Sequence, residues 1–222
     1  MRGIFNLHPP SKTRPPVWDV EQLLKHMDSW GSPHDLSVEQ AARRALLLLL
    51  LTTAARVGEL ADLVYPPLVR GQFSWEFERG RGLTKTSRQG HHSPTVTVTA
   101  FPPNALRCPV TALNAYAKLT EPHRPGQHNR LFLTLTRPYH AAAKDTLARW
   151  VKSTLTQAGI DVTTFTAHST RAASTTAAHL KGVELADILT AAQWSRAATF
   201  HAHYFRPPQP SALSAAVLGN LL

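Results

Sequence analysis

The run Ala45-Leu46-Leu47-Leu48-Leu49-Leu50-Leu51 constrains this chain more than any other stretch. Ser37 is followed three residues on by Gln40, a capping box, so a helix starts there and runs to about Thr53. A helix apolar on every side has to be buried, in a protein core or in a membrane. This run is too short to span a bilayer, and Arg43, Arg44 and Arg56 bracket it. It is therefore predicted as a buried helix, in a chain of 222 residues that is long enough for a genuine apolar core. At 43% hydrophobic and 17% charged residues, the composition speaks against disorder throughout.

Other elements follow from periodicity. Residues 1–16 hold Pro9, Pro10, Pro15 and Pro16 among basic residues and read as an arm or linker remnant. Val17–Ser29 has helical apolar spacing, and a second helix after the Leu run starts near Val57. Phe73–Glu78 and Thr95–Thr99 alternate, so two or three short antiparallel strands are expected around the basic, Gly-rich stretch Arg79–Gly90. Helices return at Val110–Leu119. Leu131–Leu135 fits a strand or a buried turn. A further helix is capped by Asp145 and ended by Gly159. Ala167–Leu180, Val183–Ala191 and Ala197–Phe205 complete the helices, and Pro207 stops the last. The fold class is α+β, mostly helical, with a small antiparallel sheet inserted early. One domain is expected over residues 17–210, with a tail over 211–222.

The formal net charge of +10 points to a polyanionic partner, nucleic acid first. The single Cys108 forms no internal disulfide and reads as a small buried apolar residue. Residues 1–20 lack the apolar stretch of a signal peptide. Asp62, Asp145, Asp161 and Asp187 are scattered, with no pair at metal-ligand spacing, so no metal or other cofactor is expected.

Four places could carry chemistry, each with a plainer reading beside it. His168 and Arg171, three apart, share one helix face and could hold the oxygens of a phosphate. An isolated His-x-x-Arg is more often a solvated face. Arg56 could join them, or only cap the Leu-rich helix; Glu59 could hold Arg56 in place, or the two could be a structural ion pair. Lys85, with Arg81 and Arg88 as rivals, could donate a proton from the basic hairpin, or only touch phosphate. Tyr204, late in a short helix, could be a nucleophile, although a phenol of pKa about 10 needs cationic help. Its usual fate is an interfacial aromatic.

Taken together, the order Arg, Lys, His-x-x-Arg, Trp, Tyr resembles the catalytic domain of the phage-integrase family of tyrosine recombinases. Thr53-Ala54-Ala55-Arg56-Val57-Gly58-Glu59-Leu60 is similar to the family's first box, with Ala54 where Gly is usual, a change expected to touch packing. Trp194 stands where the family has His or Trp, and Tyr204 comes ten residues later. The stretches Leu83–Arg88, Ala167–Ser174 and Trp194–Arg196 are most similar to recombinases of DIRS-type retroelements. The resemblance covers about Trp18 to Pro207.

The resemblance implies a tyrosine-recombinase fold and a site-specific break and rejoining of DNA through a 3′-phosphotyrosine. Tyr204 is then the nucleophile. Arg56 and Arg171 clamp the non-bridging oxygens, and His168 accepts a proton or donates a hydrogen bond. Trp194 packs and donates its indole N–H, and Lys85 protonates the leaving oxygen. Arg81, Arg88 and Arg196 would contact DNA. The implied partners are double-stranded DNA and further copies of the chain, as a tetramer on DNA, with no membrane. The location would be the nucleus for a eukaryotic element, otherwise the cytoplasm or nucleoid. Family members also carry an N-terminal DNA-clamping domain, which the resemblance implies is missing here. Competing readings are a type IB topoisomerase-like enzyme, a catalytically inactive basic DNA-binding fragment, and a zinc site among His91, His92, His201 and His203.

Overall fold

The computed structural model of the protein describes residues 16–80, 95–124 and 129–206. Arg81, Lys85, Arg88, His91 and His92 lie outside the described residues, as do the Pro-rich arm before Pro16 and the chain from residue 207 on. Three helices come first, α1 (Val20–Asp28), α2 (Val38–Thr53) and α3 (Val57–Ala61). Strands β1 (Val69–Arg70), β2 (Ser74–Phe77) and β3 (Val96–Thr99) follow. Then come α4 (Pro109–Thr120), α5 (Lys144–Gln157), α6 (Ser169–Leu180), α7 (Leu185–Ala191) and α8 (Ala197–His203).

The Leu-rich helix is the centre of the core. Ser37 Oγ accepts the Gln40 N–H at 3.2 Å and Gln40 Oε1 accepts the Ser37 N–H at 3.1 Å, so the capping box forms as expected. Leu46 to Leu50 are all buried, and α2 packs against α3, α4, α5, α6 and β3. Each of these leucines contributes about 1.5–3 kcal/mol of burial. The sheet is antiparallel in the order β1-β2-β3, with Phe77 opposite Val96 and Trp75 opposite Val98. Trp75, Phe77, Val96 and Val98 point inward and are buried, as alternation predicted. Cys108 is buried as well. Gly80, just past β2, runs against the Arg130 guanidinium, and a Cβ there would fall 1.8 Å from Nη1.

Several boundaries differ from expectation. The first helix begins at Val20, because the Asp19 carboxylate caps it by accepting the Glu21 N–H. Val17 and Trp18 stay outside, and the buried Trp18 indole N–H reaches Ser169 Oγ in α6 at 2.8 Å. Asp145 is not an N-cap. Ala143 holds that place, since the Ala142 N–H pairs with the Phe132 carbonyl and fixes where the chain can turn helical. Asp145 stands in the first turn, where its charge suits the helix dipole. Of the two readings of Leu131–Leu135, the strand does not form: Leu131, Phe132 and Leu133 are buried, and the stretch makes only the single bridge Leu133↔Ala141. The sixth helix begins at Ser169, not Ala167, and His168 is its N-cap residue.

Ala54 also departs from expectation. It is a matter of backbone, not only of packing: Ala54 ends α2 in the left-handed region, with φ +47° and ψ +25°. That conformation costs an L-residue about 1–2 kcal/mol. In a helix interior Ala→Gly costs about 1 kcal/mol. At Ala54 the same exchange is expected to be neutral or stabilising in urea unfolding, because relief of the strain offsets the lost methyl, worth about 0.8 kcal/mol. A loss of 1 kcal/mol or more would show that the turn holds no such strain.

Candidate active site

The first part of the site is built locally. With Ala54 turning the chain, Arg56 takes an extended conformation as the N-cap residue of α3. Glu59, three residues on, accepts the Arg56 backbone N–H at 2.7 Å and its guanidinium Nη1 at 2.7 Å. The Glu59 side chain is 10% exposed, and the far oxygen lies 3.8 Å from Arg171 Nη1. One carboxylate thus holds both arginines that the sequence singled out. Burial alone would raise the Glu59 carboxyl, but the hydrogen bonds and charge of Arg56 outweigh it and hold the group below its ordinary value.

Arg171 projects from the first turn of α6 and is 2% exposed. Its Nη2 donates to the Ala192 carbonyl, at the end of α7. Its Nε is buried with no hydrogen-bond partner among the described residues. Burial, and then the charge of Arg56, push the guanidinium down to about 10, which still leaves it cationic at neutral pH. His168, one residue before α6, is held below the ordinary imidazole value by burial first, then by the charges of Arg56, Arg171 and Arg206. It is therefore mostly neutral at pH 7 and able to accept a proton.

Tyr204 ends α8 and meets these groups. Its ring stacks on Trp194 with centroids 4.3 Å apart. The Arg171 guanidinium carbon lies 5.5 Å from the Tyr204 ring centre and 4.7 Å from that of Trp194. The His168 ring stands edge-on at 6.1 Å. The Tyr204 backbone is pinned to α6, the helix that carries Arg171: the buried Thr176 hydroxyl donates to the Tyr204 carbonyl at 3.0 Å and accepts the Arg206 N–H at 3.2 Å. Beside the ring is a cavity of about 340 Å³ lined by His168, Ser169, His203, Tyr204 and Arg206 among others. The Trp194 Nε1 is buried with no hydrogen-bond partner among the described residues.

Arg56, Glu59, His168, Arg171, Trp194 and Tyr204 thus come together from four separate stretches of chain. Arg196 is exposed at the N-cap of α8. The predicted places of Lys85, Arg81 and Arg88 lie outside the described residues. Sequence reasoning missed Thr176 and Arg79. Thr176 looks like any residue of an Ala- and Thr-rich helix. Arg79 is 6% exposed and donates to Gln193 Oε1 at 3.1 Å, yet in sequence it is one more cation in a basic stretch. Among the described residues no group of three or more His, Cys, Asp or Glu could hold a metal ion. No described helix is long and apolar enough to cross a membrane.

Two guanidiniums, a neutral imidazole and an indole N–H with no partner among the described residues, gathered around a phenol, can bind a tetrahedral or pentacovalent phosphate and expose it to attack. No family model matches this chain, and no curated protein matches it. Solved structures do. The XerA recombinase matches with TM-score 0.61 at 20% identity, over 97% of this chain and 68% of that one. The XerH site-specific recombinase bound to palindromic difH substrate, a post-cleavage complex, matches with TM-score 0.65 at 16% identity, over 94% of this chain and 54% of that one. A lambda integrase tetramer bound to a Holliday junction matches with TM-score 0.55 at 14% identity, over 90% of this chain and 51% of that one. The protein therefore has the mostly helical fold, with its small antiparallel sheet, of tyrosine-recombinase catalytic domains. It spans about half to two thirds of these relatives.

Proposed function

We propose that this chain is the catalytic domain of a tyrosine recombinase that breaks and rejoins double-stranded DNA through Tyr204. The observation that carries the reading is the placement of the phenol between the Trp194 ring, the Arg171 guanidinium and the His168 imidazole. The Tyr204 oxygen attacks a backbone phosphorus, and the bond from phosphorus to the 5′-oxygen breaks. A 3′-phosphotyrosine forms, and Lys85 gives the departing 5′-oxygen its proton. Arg56 and Arg171 hold the non-bridging oxygens as charge builds, with the Trp194 N–H as a further donor. Neutral His168 takes the phenol proton. A 5′-hydroxyl then attacks the tyrosyl phosphate and the steps reverse, so bond energy is kept and no nucleotide is consumed.

The lambda integrase relative, a tetramer on a Holliday junction, supports assembly of this chain on DNA as a tetramer. The wording of Leu83–Arg88, Ala167–Ser174 and Trp194–Arg196 supports an origin in a DIRS-type mobile element.

The test is incubation with nicked, mismatched or synapsed oligonucleotides, followed by a denaturing gel. A covalent protein–DNA band is expected, and recombinant joints in place of relaxed circles separate a recombinase from a topoisomerase. The band is expected to persist in excess chelator, because side-chain cations do the electrostatic work. Loss in chelator and recovery with magnesium or zinc would replace this reading with a metal nuclease.

A further inference from the structure

Arg79 leaves the end of β2, where its residue bridges to Leu63, and its side chain is 6% exposed. A buried guanidinium is unfavourable unless its charge and N–H groups are answered. Glu59 lines the same cavity as Arg79, whose charge is one of those that hold its carboxyl down. Gln193 Oε1 accepts one N–H at 3.1 Å, and Nε has no hydrogen-bond partner among the described residues. The guanidinium borders a cavity of about 360 Å³ that Thr53, Glu59, Thr97 and Gln193 help to line.

Gln193 is itself held in an uncommon conformation, with φ +53°. Left-handed backbone in a residue other than glycine persists where its surroundings fix it. Its neighbours on both sides belong to the site. Ala192 gives its carbonyl to Arg171, and Trp194 stacks on Tyr204. Moving this one turn therefore moves the acceptor that orients Arg171 and the ring that supports Tyr204.

We infer that Arg79 is a positioning residue: through its hydrogen bond to Gln193 it fixes the turn that carries Ala192 and Trp194, and so sets the placement of Arg171 and Tyr204. It acts without touching DNA. Its effect on cleavage rests on the recombinase reading, whereas its effect on Trp194 does not.

The experiment compares Arg79→Ala, Arg79→Lys, Gln193→Ala and the Arg79→Ala/Gln193→Ala double variant. The first readout is the indole N–H signals of the five tryptophans, with that of Trp194 identified by Trp194→Phe. Arg79→Ala and Gln193→Ala should each shift or broaden the Trp194 signal and leave those of Trp18 and Trp150 in place, and Arg79→Lys should restore part of the native position. The second readout is single-turnover adduct formation. It should fall on the order of 10²-fold in each single variant, the usual effect of misplacing reactive groups by about an ångström. The double variant should be no worse than either single one, because both remove the same contact. DNA affinity and its salt dependence should stay as in the parent.

An unmoved Trp194 signal in Arg79→Ala and Gln193→Ala overturns the inference. So does a salt slope lower by about one in Arg79→Ala, which would make Arg79 a direct phosphate contact. Gln193→Ala leaves the buried charge untouched, so it decides the matter even if Arg79→Ala fails to fold. A parent protein that forms no adduct would sink the recombinase reading alone, with the Trp194 signal still judging Arg79.

Discussion

Tyr204→Phe should abolish the covalent protein–DNA band while leaving the fold and DNA affinity nearly unchanged. The phenol oxygen is the only atom lost. The ring that stacks on Trp194 at 4.3 Å and lies 5.5 Å from the Arg171 guanidinium carbon is retained. The pin from Thr176 uses the backbone carbonyl of residue 204, which Phe also has. Stability should therefore change by no more than about 0.5 kcal/mol, the range for substitutions that disturb no buried feature. Affinity should hold because phosphate contacts come from the cations, which the change leaves alone. A Phe variant that still traps DNA would mean that another residue attacks. Unchanged chemistry would point to one of the nearby hydroxyls, with Ser169 in the same cavity as the first to test.

How much of this was legible in the sequence depends on how local each signal is. The capping box at Ser37, the leucine run and the alternation of β2 and β3 are set by residues a few positions apart, and they fold as read. Arg56 and Glu59 belong to the same class, since a three-residue spacing brings them together in one turn. The left-handed turn at Ala54 was half visible: the absence of a glycine was seen, but its meaning lay in the backbone. Strand β1 has two residues, too few for any alternation to show. Asp145 lost its capping place to Ala143 because the pairing of Ala142 with Phe132, ten residues before it, set the start of α5. Thr176 and Arg79 were invisible for a related reason. Their partners lie 28 and 114 residues away, and nothing next to them in sequence marks them as buried.

Lys85→Ala should slow cleavage of ordinary DNA by roughly 10²–10⁴-fold, the worth of general acid catalysis. Lys85 sits in the basic stretch that joins β2 to β3, and β2 ends beside Arg79, whose charge reaches both Glu59 and Arg171. A lysine brought near this group of guanidiniums has its charged form disfavoured, and so gives up its proton more readily near neutral pH. Cleavage of the phosphorus–oxygen bond leaves an alkoxide that needs that proton. A substrate with sulfur at the 5′-bridging position leaves as a thiolate and needs none. Lys85→Ala should therefore cleave the sulfur substrate at close to the parent rate. Arg171→Ala should remain defective on both substrates, since in the proposed reaction its guanidinium would stabilise charge on the non-bridging oxygens whichever atom departs. The comparison separates proton donation from phosphate binding within one residue. Equal defects of Lys85→Ala on the two substrates would make Lys85 a phosphate contact only, and Arg88 and then Arg81 would become the next acids to test in the same pair of reactions.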